Sequence, residues 1–268
     1  MTLEDLNPRS FRNVGKRLGL DIHMEDGHLQ IRELTPQPLW TRCLSANSCF
    51  CRAVVQNGIL TRRQMVHAAL RYRLGRSADD AVIYWQIDQL GRVHDGKLMW
   101  YGPDCHRLKN RNATWAMHLM KKRFGLPQDA FQPTHVFFGS HLLHSSITPH
   151  PSAICIVEAE KSAVILSELY PQYTWLAAGG LFELQPQKIW LLRRHKVILF
   201  PDTDPDLKAY TTWYDAAQQV MRSFYWPLGN PIHVSDFLEL HATPEQKSRK
   251  IDLVDYILDN KTNIQPSV

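Results

Sequence analysis

The sequence predicts an α/β protein: a mainly parallel sheet flanked by helices, preceded by a smaller α+β N-terminal region. Three observations carry this expectation. Beyond Ser152, short and nearly continuous apolar runs alternate with helical stretches, the pattern of strands buried on both faces. Upstream, two apolar runs separated by a glycine-bearing polar segment read as a β-hairpin. The charge is also divided. Residues 1–145 carry 20 Lys and Arg against 12 Asp and Glu, a net +8, whereas residues 146–268 carry 11 against 14, a net −3. The expected division is a basic region over 1–148, an α/β domain over 149–259 and a tail over 260–268.

The first forty residues are weakly patterned. Apolar positions scatter among Pro8, Gly15, Gly19, Gly27, Pro36 and Pro38, which predicts loops and short elements. Between Ser45 and Tyr72 one amphipathic helix is expected. Thr61 suits its N-cap, Leu60 and Met65 can staple its start, and Met65, Ala68, Ala69 and Tyr72 recur at helical spacing before Gly75. The hairpin follows near 82–101, with strands at Val82–Ile87 and Lys97–Tyr101 and a longish loop holding Gly91 and Gly96. Next comes a basic stretch. Lys97, Arg107, Lys109, Arg111, Lys121, Lys122 and Arg123 interleave with Trp100, Tyr101 and Trp115, a mixture that suits single-stranded nucleic acid, although aromatics on a hairpin taken alone read sooner as core or cross-strand packing.

The second half reads as strand, helix, strand, strand, helix, strand: Ala153–Val157, Glu160–Tyr170, Thr174–Ala178 ending in Gly179-Gly180, Val197–Phe200, Leu207–Phe224, and Ile232–Val234 after Pro231. In such sheets the working residues collect beyond the carboxyl ends of the strands. Two of those ends are acidic. Ala153–Val157 runs into Glu158, and Val197–Pro201 runs into Asp202-Thr203-Asp204. Apolar strand residues give these carboxylates no packing reason to follow, so two such ends suggest a shared pocket. Asp-x-Asp suits magnesium, a hard ion bound through one or two carboxylates plus substrate phosphates. The bland alternative for Asp202 and Asp204 is turn formation or an N-cap, and Asp206 is assigned to helix-start chemistry with Pro205.

The segment VEAEKSA (Val157 to Ala163) resembles the first motif of Toprim domains, and FPDTD (Phe200 to Asp204) resembles the second. WLAAGG (Trp175 to Gly180) matches the strand between them, and the resemblance covers about residues 150–235. The longer order of YWQID, FGSHLL, VEAEKSAVI, WLAAGG, PDTD and IDLVDYIL is similar to an uncharacterised primase-like family of bacterial mobile elements. That family commonly begins with a cysteine-rich zinc ribbon, which this chain lacks.

The resemblance implies a general acid or base at Glu158, a Mg (or Mn) site at Asp202, Asp204 and Glu158, and a phosphate-contacting lysine at Lys161, which is otherwise an ordinary helix-surface lysine. It implies that Glu160 assists the metal or caps its helix, and that Gly179 and Gly180 permit a tight turn. Ala159 stands where the motif has Gly. The implied activity is primase-like nucleotidyl transfer on DNA. The alternatives are a nuclease using the same site and a non-catalytic DNA-binding adaptor.

Other classes are excluded or disfavoured. No run of about eighteen apolar residues offers a membrane span, and Glu4 and Asp5 with no following h-region predict a cytoplasmic protein. Cys43, Cys49, Cys51, Cys105 and Cys155 are expected to be free thiols, because their spacing supplies no pair of zinc knuckles. No P-loop occurs, so unwinding would need a separate helicase or replication protein as partner. His141 and His144 are expected as polar helix or loop residues.

Overall fold

In the computed structural model, residues 20–25, 28–34, 43–125, 127, 134–144, 153–222, 226–227 and 229–261 are described. The expected loops around Pro8, Gly15, Gly19, Gly27, Pro36 and Pro38 lie outside these residues, as does the tail beyond Lys261. The chain divides into two compact units, residues 1–136 with 140–144, and residues 137–139 with 145–268.

The first unit contains an antiparallel hairpin, β1 (Leu20–Glu25) and β2 (His28–Leu34). Two helices follow where one was expected, α1 (Cys49–Gln56) and α2 (Arg62–Arg71). Ser48 caps the first by accepting the Cys51 N–H, and Gly58 at φ +64 lets the chain turn between them. Thr61 caps α2 in a full capping box with Gln64. A four-stranded antiparallel sheet has the order β3 (Gly75–Arg76), β4 (Val82–Ile87), β5 (Val93–Met99), β6 (Thr114–Trp115), and α3 (Ala116–Phe124) leaves its edge.

The second hairpin strand therefore starts four residues earlier than the sequence suggested. Gly96, expected in the loop, lies inside β5 opposite Trp85. A Cβ there would come within 2.6 Å of the indole, so the glycine makes room for the ring. The connecting loop is short because Asp88 closes it. Its carboxylate accepts N–H bonds from Leu90 and Arg92 and the Arg92 Nε–H.

The second unit is built on a wholly parallel sheet of order β10 (Ile232–Val234), β9 (Val197–Phe200), β7 (Ile154–Val157), β8 (Thr174–Ala177). Helices α4 (Glu160–Leu169), α5 (Pro186–Trp190), α6 (Lys208–Met221), α7 (Phe237–His241), α8 (Pro244–Arg249) and α9 (Leu253–Lys261) connect and follow its strands. Every residue of β7 and β8 is buried, as strands covered on both faces require. Trp175 and Trp213 are the largest fully buried side chains. Phe138 bridges antiparallel to Ala177 and closes part of the free edge of β8. Asn260 and Lys261, expected in the tail, still belong to α9. No helix among the described residues is long and apolar enough to cross a membrane.

Candidate functional site

Register decides which residues meet at the carboxyl edge of the parallel sheet. Val157 of β7 pairs with Phe200 of β9 and with Ala177 of β8, so all three strands end level. Glu158 leaves β7 one residue past that line, Asp202 leaves β9 two past it, and Gly179 leaves β8 two past it. The Gly179 N–H donates to the Glu158 carbonyl at 2.9 Å. Gly179 takes φ +96, a conformation that calls for glycine, and it lies in van der Waals reach of the Glu160 carboxylate. Glu160 is buried in the first turn of α4, whose N-cap, Ala159, makes no side-chain cap bond.

Two further carboxylates join this edge from the C-terminal segment. The Thr203 N–H donates to the Ile251 carbonyl at 3.1 Å, which fastens the loop after β9 to the start of α9. That bond brings Asp252 and Asp255 beside Asp202. Burial first, then the charges of Asp252, Glu158 and Asp255, push the Asp202 carboxyl well above the usual carboxylate range, against a smaller opposing effect of Lys161. Asp252 is 5% exposed. Burial would raise it too, but Lys161 and the Ser162 hydroxyl outweigh that and hold it below its ordinary value. Burial and Asp252 push Asp255 up, with Lys161 offsetting part of the rise.

Lys161 is the hub. Its Nζ lies 3.2 Å from Asp252 Oδ2 and 3.3 Å from Asp255 Oδ1, and the Ser162 hydroxyl donates to Asp252 Oδ2 at 2.7 Å. The lysine is thus neither a plain surface residue nor one whose charge is spent on a phosphate alone. It is held between two carboxylates of α9 and the residue before it. Asp252, Asp255 and Ser162 were given no role in the sequence reading. The signal present was the acid pair in IDLVDYIL, three residues apart at a helix start, but nothing local connects it to Glu158.

Asp204 is engaged at a helix start, the alternative to metal ligation that its sequence context offered. Its Oδ1 accepts the N–H groups of Asp206 and Lys208, at 2.9 and 3.1 Å, and its Oδ2 accepts that of Ala209 at 2.8 Å. Burial acts to raise its pKa, yet these three donors and Lys250 keep it low. Asp204 therefore begins α6, the role the sequence assigned to Asp206, while Leu207 takes the left-handed φ of +57. The pair foreseen for metal ligation is divided between a pocket carboxylate and a helix start.

Among the described residues, no group of three or more His, Cys, Asp or Glu side chains is gathered closely enough to hold a metal ion. A hard cation needs only one or two protein carboxylates when substrate phosphates and water complete its shell. Glu158 and Asp202 fit that requirement, because the Asp202 carboxylate is raised by carboxylate neighbours that a divalent cation would neutralise. Asp204 has both oxygens engaged by backbone donors at the start of α6.

The basic candidates of the first unit are dispersed. Arg107, Lys109, Lys122 and Arg123 are exposed. Arg111 pairs with Asp79 and lies 4.9 Å over the Trp100 ring, whose own N–H donates to the Asp79 carbonyl. Lys121 is buried at 5% exposure, and Lys97 is half-buried opposite Trp115. Tyr101 is core, sharing a hydroxyl–hydroxyl bond with Tyr84. Trp115 stacks on His135 with centroids 4.2 Å apart. His141 is built in through Nε2, 3.0 Å from the Arg71 carbonyl. None of the five cysteines is in a disulfide.

The geometry defines a class of α/β protein in which acids from two strand ends and a C-terminal helix converge at the carboxyl edge of a parallel sheet. Residues 49–203 match the family described as domain of unknown function (DUF6371), and the chain belongs to that family. The match takes in Glu158, Lys161 and Asp202 and ends before Asp204, Asp252 and Asp255. No curated protein matches the chain. Among solved structures, the primase fragment of the bacteriophage T7 primase-helicase protein is similar in fold, at a TM-score of 0.40 and 17% identity over 65% of this chain and 60% of that one.

Proposed function

We propose that this chain acts on nucleic-acid phosphates at the carboxyl edge of its parallel sheet, as a Toprim-like, Mg- or Mn-dependent protein whose reaction is primase-like nucleotidyl transfer on DNA. The observation that carries the reading is that Glu158 and Asp202 leave neighbouring strands at one edge of the sheet and that the Glu158 charge acts on the Asp202 carboxyl. In this reading Glu158 and Asp202 hold the cation, which supplies charge neutralisation at a phosphoryl oxygen. Glu158 also moves a proton to or from the attacking or leaving oxygen. Lys161, fixed by Asp252 and Asp255, keeps the surrounding acids from repelling one another and sets their orientation. Single-stranded DNA is the substrate, with exposed Arg107, Lys109, Lys122 and Arg123 contributing phosphate contacts, and a separate helicase or replication protein is the partner that opens a duplex.

A second reading, a DNA-binding adaptor without catalysis, is favoured by one observation: the commitment of Asp204 to the start of α6 leaves one acid of the Asp-x-Asp pair for the pocket. The test incubates the protein with single-stranded DNA, all nucleoside triphosphates and Mg or Mn, beside a Glu158→Gln, Asp202→Asn double variant. New oligonucleotides from the wild type alone support primase-like synthesis, and shortened DNA points to a nuclease. DNA binding without products leaves the adaptor. Identical products from both proteins refute any catalytic role for this pocket.

A further inference from the structure

Beyond the carboxylate pocket, the same edge of the sheet presents an aromatic ring to solvent. Phe182 lies on a short 3-10 turn, Leu181–Glu183, directly after Gly179-Gly180 at the end of β8, and it is 69% exposed. The turn is fastened on both sides of the ring. The Trp213 indole N–H donates to the Leu181 carbonyl at 2.9 Å, and Lys188 Nζ donates to the Glu183 carbonyl at 3.1 Å. Leu184, two residues on, is buried. The exposed position of the ring is therefore held from beneath by a fully buried tryptophan of α6.

Over the ring stands a cation from the first residue of α6. Lys208 Nζ is 5.8 Å from the Phe182 centroid, and Lys208 is itself exposed. Its backbone is set by the Asp204 carboxylate, which accepts the Lys208 N–H. Thus the segments that follow β8 and β9, the two strands on either side of β7, each contribute one member of an aromatic–ammonium pair. A nucleobase offers a π-face to an aromatic ring, and the phosphate beside it offers an anion to an ammonium group, which is how sequence-tolerant binding to single strands is achieved. Lys208 is an exposed cation at this corner, where the charge of Lys250 also reaches Asp204.

We propose that Phe182 and Lys208 form a stacking platform for one nucleotide of a single-stranded nucleic acid, placing the strand beside the Glu158–Asp202 pocket. This rests on the reading given under Proposed function and adds to it the residues that seat the strand. A ring carried on a turn whose backbone is already fastened needs little further ordering of the chain when a base covers it.

The test is fluorescence anisotropy of a labelled oligothymidylate with the full chain, with circular dichroism to show that the variants fold as the wild type does. Phe182→Ala weakens binding by about tenfold, Phe182→Trp binds as tightly as the wild type or more so, and Lys208→Ala weakens binding and flattens its salt dependence. Irradiation with a 5-iodouracil oligonucleotide places the cross-link on Phe182. Binding by the wild type that Phe182→Ala leaves unchanged, with cross-links elsewhere, overturns the platform while leaving the carboxylate pocket's role intact. A loss confined to free nucleoside triphosphates overturns it too. A wild type that binds no single strand overturns both this platform and the reading it rests on, whereas DNA processing that survives Glu158→Gln, Asp202→Asn overturns that reading alone.

Discussion

Replacing Lys161 by methionine separates a designed-in counter-charge from an ordinary surface lysine. The side chains of Lys161 and Asp252 are 16% and 6% exposed, with Nζ 3.2 Å from one carboxylate and 3.3 Å from that of Asp255. Methionine keeps much of the apolar stem but strands the buried carboxylates. Removing one partner of a buried ion pair costs about 3–5 kcal/mol, against about 0–1 kcal/mol for an exposed pair. Since whole domains are stable by only about 5–15 kcal/mol, the loss would be plain in urea unfolding followed by both far-UV circular dichroism and tryptophan fluorescence. Adding Asp252→Asn removes the stranded charge and recovers a large part of the loss. A Lys161→Met change within about 1 kcal/mol of wild type, or a double variant no more stable than the single one, would refute the reasoning.

Asp204→Ala removes three backbone hydrogen bonds at the start of α6 and lowers stability by about 1–2 kcal/mol, with Asp204→Asn losing less; thermal unfolding measures both. Asp202→Asn relieves repulsion among the pocket acids, so without divalent cations it raises the melting temperature, while magnesium stabilises the wild type and not the variant in the same scan. Gly96→Ala drives a Cβ into the Trp85 ring and lowers stability by about 1–3 kcal/mol in chemical denaturation. Burial pushes His141 down to about 4 from its ordinary 6.5. The unfolded chain therefore binds this proton first, so its contribution is complete above about pH 7 and declines as the pH falls from the ordinary histidine value toward 4, by up to about 3 kcal/mol. Unfolding curves across that range for wild type and His141→Gln show the slope, and equal slopes would count against it.

Features written in neighbouring residues were legible in the sequence by itself. Continuous apolar runs bounded by glycine, proline or acid gave β7, β8, β9 and β10 within a residue or so, and β7 and β8, buried on both faces, have no polar alternation to confuse them. The same runs pointed to Glu158 and Asp202, carboxylates placed where packing alone gives no reason for them. The Thr61 N-cap was equally local, and the structure adds Gln64 as its reciprocal partner. What only the tertiary structure decided depends on partners remote along the chain. Gly96 belongs to a strand because an indole eleven residues earlier needs the space above it. Asp204 rather than Asp206 begins α6 because backbone N–H directions, not residue type, select the acceptor. Lys161 finds Asp255 across 94 residues, and Ser162 finds Asp252 across 90. No periodicity encodes such pairs, because the folding of α9 against the sheet edge creates them, and with them the charge balance of the pocket.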